Sequence, residues 1–126
     1  MKILVTGGSG MVGYGIKRIQ HNYKYEFNFL SSSDCDLLNY ENTYIYFKEY
    51  NPDYVIHLAA YVGGLFKNMK CKVDMLEKNI LMNYNVLNIC HKLNVKKVIS
   101  CLSTCIFPDK IESVSYTHLT LPTTPY

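Results

Sequence analysis

Apolar residues fall along this chain in short continuous runs separated by longer mixed stretches. Lys2–Thr6 is such a run, ends against Gly7, and reads as a buried strand. From Gly10 to about Asn22, Val12, Ile16 and Ile19 recur at helical spacing. Glu26–Ser31 predicts a second strand, broken by Ser31-Ser32-Ser33-Asp34. Residues 39–50 predict a helix stopped by Pro52, and Tyr54–Leu58 a third strand. Gly63-Gly64 opens a loop, residues 72–93 form a long helix, and residues 97–102 a fourth strand. Strands alternating with helices predict an α/β fold, a doubly wound parallel sheet that ends here after its fourth strand. Right-handed crossovers order it 27–31, 2–6, 54–58, 97–102. The long helix carries two apolar stripes. Val73, Leu76, Ile80 and Leu87 form one; Met75, Met82, Val86, Ile89 and Leu93 form the other. A helix apolar on two sides wants a second partner besides the sheet.

A length of 126 residues fits a single domain, and a 48% apolar content is enough for a core. The net charge of +3 changes little. Its lysines are scattered, Lys96-Lys97 is the only adjacent lysine pair, and Arg18 is the only arginine. Without a basic stripe, no nucleic-acid partner is expected. No apolar run approaches the roughly 18 residues of a membrane span, so no membrane role is expected either. Cys35, Cys71, Cys90, Cys101 and Cys105 lack the spacing of a metal site, and no metal is expected. A strand follows Met1 directly, with no leader pattern. Together with the odd cysteine count, this reads as a cytoplasmic protein with reduced thiols.

The candidate chemistry starts at Thr6-Gly7-Gly8-Ser9-Gly10-Met11-Val12-Gly13, where glycines recur as G-x-x-G-x-x-G. The spacing alone is a weak signal. Its position between a predicted strand and a predicted helix makes it a dinucleotide loop on a Rossmann-type sheet. Gly7 would make the tight turn, Gly10 would let the backbone approach a pyrophosphate, and Gly13 would let the helix pack closely on the strand. The helix N-terminus offers unpaired N–H groups and the positive end of its dipole. Asp34 lies near the spacing at which an acidic residue holds the ribose of NAD. The three serines before it place it past the strand end, and hydroxyls there leave room for the 2′-phosphate of NADP.

Two further segments are more specific: His57-Leu58-Ala59-Ala60-Tyr61-Val62-Gly63-Gly64-Leu65-Phe66, and Ser100-Cys101-Leu102-Ser103-Thr104-Cys105-Ile106-Phe107-Pro108-Asp109-Lys110. With Asn79–Leu87, they resemble the GDP-L-fucose synthase family of extended short-chain dehydrogenases/reductases, and the resemblance covers about residues 1–110. It implies NADPH as cofactor, although the family often has a basic residue where this chain has Ser9 or Ser33. It implies GDP-4-keto-6-deoxy-D-mannose as substrate, epimerised at C3 and C5 and then reduced at C4. It also implies a homodimer built on the long helix. By this resemblance Ser103 hydrogen-bonds the 4-keto oxygen and Cys105 is the acid/base of epimerisation. Asp36 and Leu37 match the position that meets the adenine. The residues expected at the cofactor are Gly7, Gly8, Ser9, Gly10, Met11, Val12 and Gly13 of the loop, Ser32, Asp36 and Leu37 after the second strand, Ala59 and Ala60 after the third, and Leu102. His57 matches a structural position.

The superfamily reduces its ketone with a Tyr-x-x-x-Lys pair on the helix after the fourth strand, and none follows Cys105 here. Tyr44 and Lys48 have the spacing, but on the helix before the third strand. The expectation is therefore an N-terminal part of a longer enzyme, inactive by itself: a partial cofactor domain over residues 1–112 and an unstructured tail over 113–126. That tail, SVSYTHLTLPTTPY, is uncharged, lacks patterning, and reads as foreign to the protein. Another nucleotide-sugar epimerase or dehydratase of the superfamily, or a short non-catalytic dinucleotide-binding protein, are the alternatives.

Overall fold

The computed structural model describes residues 1–102. Ser103, Cys105 and the tail over 113–126 lie outside the described residues. Four strands form one sheet: β1 (Lys2–Thr6), β2 (Glu26–Leu30), β3 (Tyr54–His57) and β4 (Lys97–Ser100). All neighbours are parallel, in the order β2-β1-β3-β4 expected from the sequence. The helices among the described residues are α1 (Met11–Ile19), α2 (Tyr40–Tyr50), α3 (Leu65–Lys70) and α4 (Lys72–Lys92), with a 3₁₀ turn at Gln20–Asn22.

Strand pleating sends alternate residues to opposite faces. Leu4, Leu30 and Val55 share one face with Phe47 of α2 and with Val86, Ile89 and Cys90 of α4, and this cluster is the core. Side chains such as Phe47, Leu4, Val55 and Ile89 are fully buried, each contributing about 1.5–3 kcal/mol over exposure. The crossover from β1 to β2 runs opposite in direction to that from β2 to β3, so right-handedness puts α1 on the other face. There the Lys17 ammonium lies 5.9 Å from the Phe29 ring centre.

Asparagines set the helix ends. Asn39 caps α2 by accepting from the Asn42 N–H at 3.0 Å. Asn51 and Asn94 end α2 and α4 in left-handed conformation, at φ 53 and 54, which short polar side chains tolerate better than others. At the N-terminal ends of the strands, Asp53 accepts from the Lys2 N–H at 2.8 Å and pairs with Lys96 at 2.6 Å.

Three differences from the sequence reading stand out. The stretch from Gly10 to Asn22 is a nine-residue helix followed by a 3₁₀ turn. Its supposed apolar side is only half covered: Ile16 is half-buried, while Val12 and Ile19 are exposed. The loop after Gly64 contains the short helix α3, which six residues lacking periodicity could not announce.

Candidate functional site

All four strands point their C-terminal ends at one cleft of about 620 Å³. It sits where the chain leaves β1 for one side of the sheet and β3 for the other, the switch point at which open α/β sheets take their ligands.

The glycine loop forms one wall. Gly7 turns at φ +68, and a Cβ there would lie 2.7 Å from the Ala59 nitrogen. Gly7 is therefore needed both for its conformation and for its contact with the end of β3. A Cβ on Gly13 would meet the Gly8 carbonyl oxygen at 2.6 Å and the Gly7 carbonyl oxygen at 2.8 Å. The close approach foreseen for Gly13 is thus onto the turn that leaves the strand, and it seats the first turn of α1 directly over the loop. A Cβ on Gly10 would meet only the Gly7 carbonyl oxygen, at 3.2 Å. Within α1 the first backbone bond runs from the Tyr14 N–H to the Gly10 carbonyl at 2.8 Å. The N–H groups of Met11, Val12 and Gly13 have no partner among the described residues, and no side chain caps the helix. This is the donor cluster, at the positive end of a helix dipole, that fits a pyrophosphate.

Ser9, Gly10, Met11 and Val12 line the cleft together with Gly7 and Gly13. Ser32, Asp36 and Leu37 line it on the side of β2, and Ala59 and Ala60 on the side of β3. The structure thus gathers most of the expected cofactor residues around one space. Gly8 and Leu102 do not line it. The Gly8 N–H bonds the Leu30 carbonyl at 2.9 Å, and a Cβ there would lie 2.7 Å from that of Phe29. Leu102 is exposed.

Asp34 does not line the cleft. Its carboxylate accepts from the Ser31 N–H at 2.8 Å and from the Ser31 hydroxyl at 2.5 Å, closing a tight turn. The hydroxyl bond, then the backbone bond, hold this carboxyl below its ordinary value. A carboxylate engaged in this way is not offered to a ribose in the cleft, while Ser32 is. Asp36 does line the cleft, and its Oδ1 accepts from the Leu38 N–H at 3.0 Å.

His57 is buried beneath the site, with both ring nitrogens satisfied. Nδ1 meets the Thr6 hydroxyl at 2.6 Å and Nε2 meets Asn83 Oδ1 at 2.8 Å. Nε2–H must donate to Asn83 Oδ1, so Nδ1 accepts from Thr6, whose oxygen accepts from the Ala59 N–H at 3.4 Å. Burial pushes the imidazole below its usual range, and the Asn83 bond opposes this more weakly. The ring ties the ends of β1 and β3 to α4, the structural position expected for it. Tyr44 and Lys48 lie on α2 outside the cleft, the ammonium 5.9 Å from the ring centre.

The sequence reading missed Lys78 and Met82, one turn apart on α4, and Cys35, Leu38 and Cys101, all of which line the cleft. Nothing in the pattern of α4 told which face meets a ligand. Burial raises the Cys35 thiol pKa, so it acts there as a small apolar wall residue. Cys35, Cys71, Cys90 and Cys101 are all free thiols.

Residues 3–126 match the family described as NAD dependent epimerase/dehydratase. The chain belongs to that family. Within it, the chain is 55% identical over 111 residues to a GDP-L-fucose synthase of Dictyostelium discoideum, covering 86% of this chain and 35% of the relative. A GDP-L-colitose synthase of Yersinia pseudotuberculosis is 36% identical, over 90% of this chain and 37% of the relative. Among solved structures, a GDP-L-fucose synthetase of Naegleria fowleri bound to NADP superposes with a TM-score of 0.78 at 51% identity, covering 89% of this chain and 36% of that one. Close homologues of this member of the family are thus GDP-L-fucose synthases. The chain spans about a third of their length. Among the described residues, no helix is long and apolar enough to cross a membrane.

Proposed function

We propose that this chain is the cofactor-binding part of an NADP-dependent GDP-4-keto-6-deoxy-D-mannose epimerase/reductase that makes GDP-L-fucose. The observation that carries the proposal is the glycine-loop cleft in a chain more than half identical to a GDP-L-fucose synthase. In this reading the free N–H groups of Met11, Val12 and Gly13 receive the pyrophosphate. Ser32 faces the adenosine ribose, and Asp34, held by Ser31, leaves space for a 2′-phosphate. NADPH, when bound, supplies the hydride for C4. Ser103 donates a hydrogen bond to the 4-keto oxygen, a contact worth about 10²–10³ in rate where charge develops on that oxygen. Cys105 exchanges protons at C3 and C5; a thiol, with an ordinary pKa of about 8.5, needs little tuning for this. The active form is a cytoplasmic two-fold dimer joined through the exposed stripe of α4. By itself the 126-residue chain, without a Tyr-x-x-x-Lys pair after β4, is inactive.

The test is to read the transcript past the codon for Glu112, express the whole protein, and supply GDP-4-keto-6-deoxy-D-mannose with NADPH. GDP-L-fucose is the expected product, with NADPH bound more tightly than NADH. In the same protein Cys105→Ser abolishes solvent deuterium incorporation at C3 and C5 while leaving NADPH binding intact. Absence of turnover, or equal binding of NADH, overturns the reading.

A further inference from the structure

Helix α4 runs beneath the cleft, and its asparagines hold the walls on either side. Lys78 and Met82 face the cleft. Asn79 and Asn83, also one turn apart, flank them on the β3 side, and Asn85 flanks them on the β2 side. Asn79 grips one residue of main chain from both sides. Its Oδ1 accepts from the Tyr61 N–H at 2.8 Å and its Nδ2 donates to the Tyr61 carbonyl at 2.8 Å. The same Nδ2 also meets the Met75 carbonyl at 2.7 Å. This fixes the chain just beyond Ala60. Asn85 is 1% exposed, and its Nδ2 donates to the Leu37 carbonyl at 2.9 Å and the Leu38 carbonyl at 3.1 Å. A side-chain amide carries two N–H donors on one nitrogen, and here each goes to a different carbonyl of the opposite wall. No apolar replacement could satisfy those carbonyls. Asn88, by contrast, only accepts from the Tyr40 hydroxyl at 2.9 Å, away from the cleft.

We propose that Asn85 and Asn79 are positioning residues of the cofactor cleft. Asn85 holds the wall after β2, where the adenosine half of a dinucleotide lies on this fold. Asn79 holds the wall after β3, beyond the adenosine half. The inference rests on the dinucleotide reading of the cleft. Two ligands separate the roles in the whole protein: NADPH, and adenosine 2′,5′-bisphosphate, which carries only the adenosine half. Asn85→Leu weakens both by about tenfold, the scale expected for one buried and one half-buried carbonyl left unpaired. Asn79→Leu weakens NADPH to a similar extent but leaves the bisphosphate within about twofold. Asn88→Leu, on the same helix, leaves both affinities unchanged. Where Asn85→Leu does not fold, Asn85→Ala serves for the same comparison. Uniform weakening of both ligands by all three variants would reduce the asparagines to general stability and overturn the proposal, as would unchanged bisphosphate affinity in the Asn85 variant. An unsubstituted protein that binds neither ligand overturns the dinucleotide reading itself. One that binds both, with variants that bind as well, overturns the positioning roles alone.

Discussion

Gly13 and Gly15 sit two residues apart on α1, and their environments are opposite. A Cβ on Gly13 would press on the carbonyl oxygens of Gly7 and Gly8, main-chain atoms of a tight turn that cannot yield. Gly13→Ala should cost about 1–3 kcal/mol and weaken nucleotide binding by shifting the first turn of α1. Gly15 has nothing within 4 Å of where its Cβ would be. Gly15→Ala should therefore stabilise the helix by about 0.5–1 kcal/mol, since glycine loses more chain entropy on folding. Urea denaturation of the two variants gives the signs directly. His57 makes a second prediction at this scale. Burial depresses its folded-state pKa, so the unfolded chain binds a proton more readily. Stability is full above the unfolded value of about 6.5 and is lost as pH falls from there through the folded value. In His57→Gln this acid-side loss below about pH 6.5 should flatten. The carboxyls of Asp34 and Asp53 are also depressed, but their losses come at lower pH, as it falls below the ordinary carboxyl value of 3.8.

Among the elements, α4 carries the most information. Its two apolar stripes were legible from spacing. The structure packs Met75, Val86 and Ile89 into the interior, with Met82 and Leu93 against the core. Val73, Leu76, Ile80 and Leu87 are left 67%, 61%, 59% and 48% exposed. Spacing gave the two stripes but could not say which one the sheet would take. Ile89→Ala should cost about 2–5 kcal/mol by leaving a cavity, whereas Leu76→Ala should stay within about 0.5 kcal/mol in the monomer. If Leu76→Ala also raises the dimer dissociation constant of the whole protein, the exposed stripe is the seam. Chemical denaturation and sedimentation at several concentrations separate the two effects.

At the scale of the molecule, apolar side chains are left exposed on both the sheet and a helix. Ile99 on the α1 face of the sheet is 51% exposed, and Phe66 of α3 is 79% exposed. Among the described residues β4 has no neighbour on its outer side, and unpaired strand edges template association. The 126-residue chain alone should therefore self-associate, while the whole protein sediments as a discrete dimer. A stable monomer for both in sedimentation velocity would refute this.

The sequence by itself determined the strand order, the parallel sheet and the place of the phosphate loop. Those depend on short-range facts: buried runs, a glycine pattern between strand and helix, and the fixed hand of the crossovers. It also brought into view most of the residues that line the cleft, because the chain leaves each strand at the same end of the sheet. What it could not give was the orientation of side chains that meet only after folding. Asp34 has the spacing of a ribose ligand, yet a four-residue turn folds its carboxylate onto Ser31. Asn79 and Asn85 are ordinary helix residues until the sheet brings Tyr61 and Leu37 within reach, 18 and 48 positions away along the chain. Only the tertiary structure decides such contacts, because a hydrogen bond across that separation depends on the packing of a whole helix against a whole sheet.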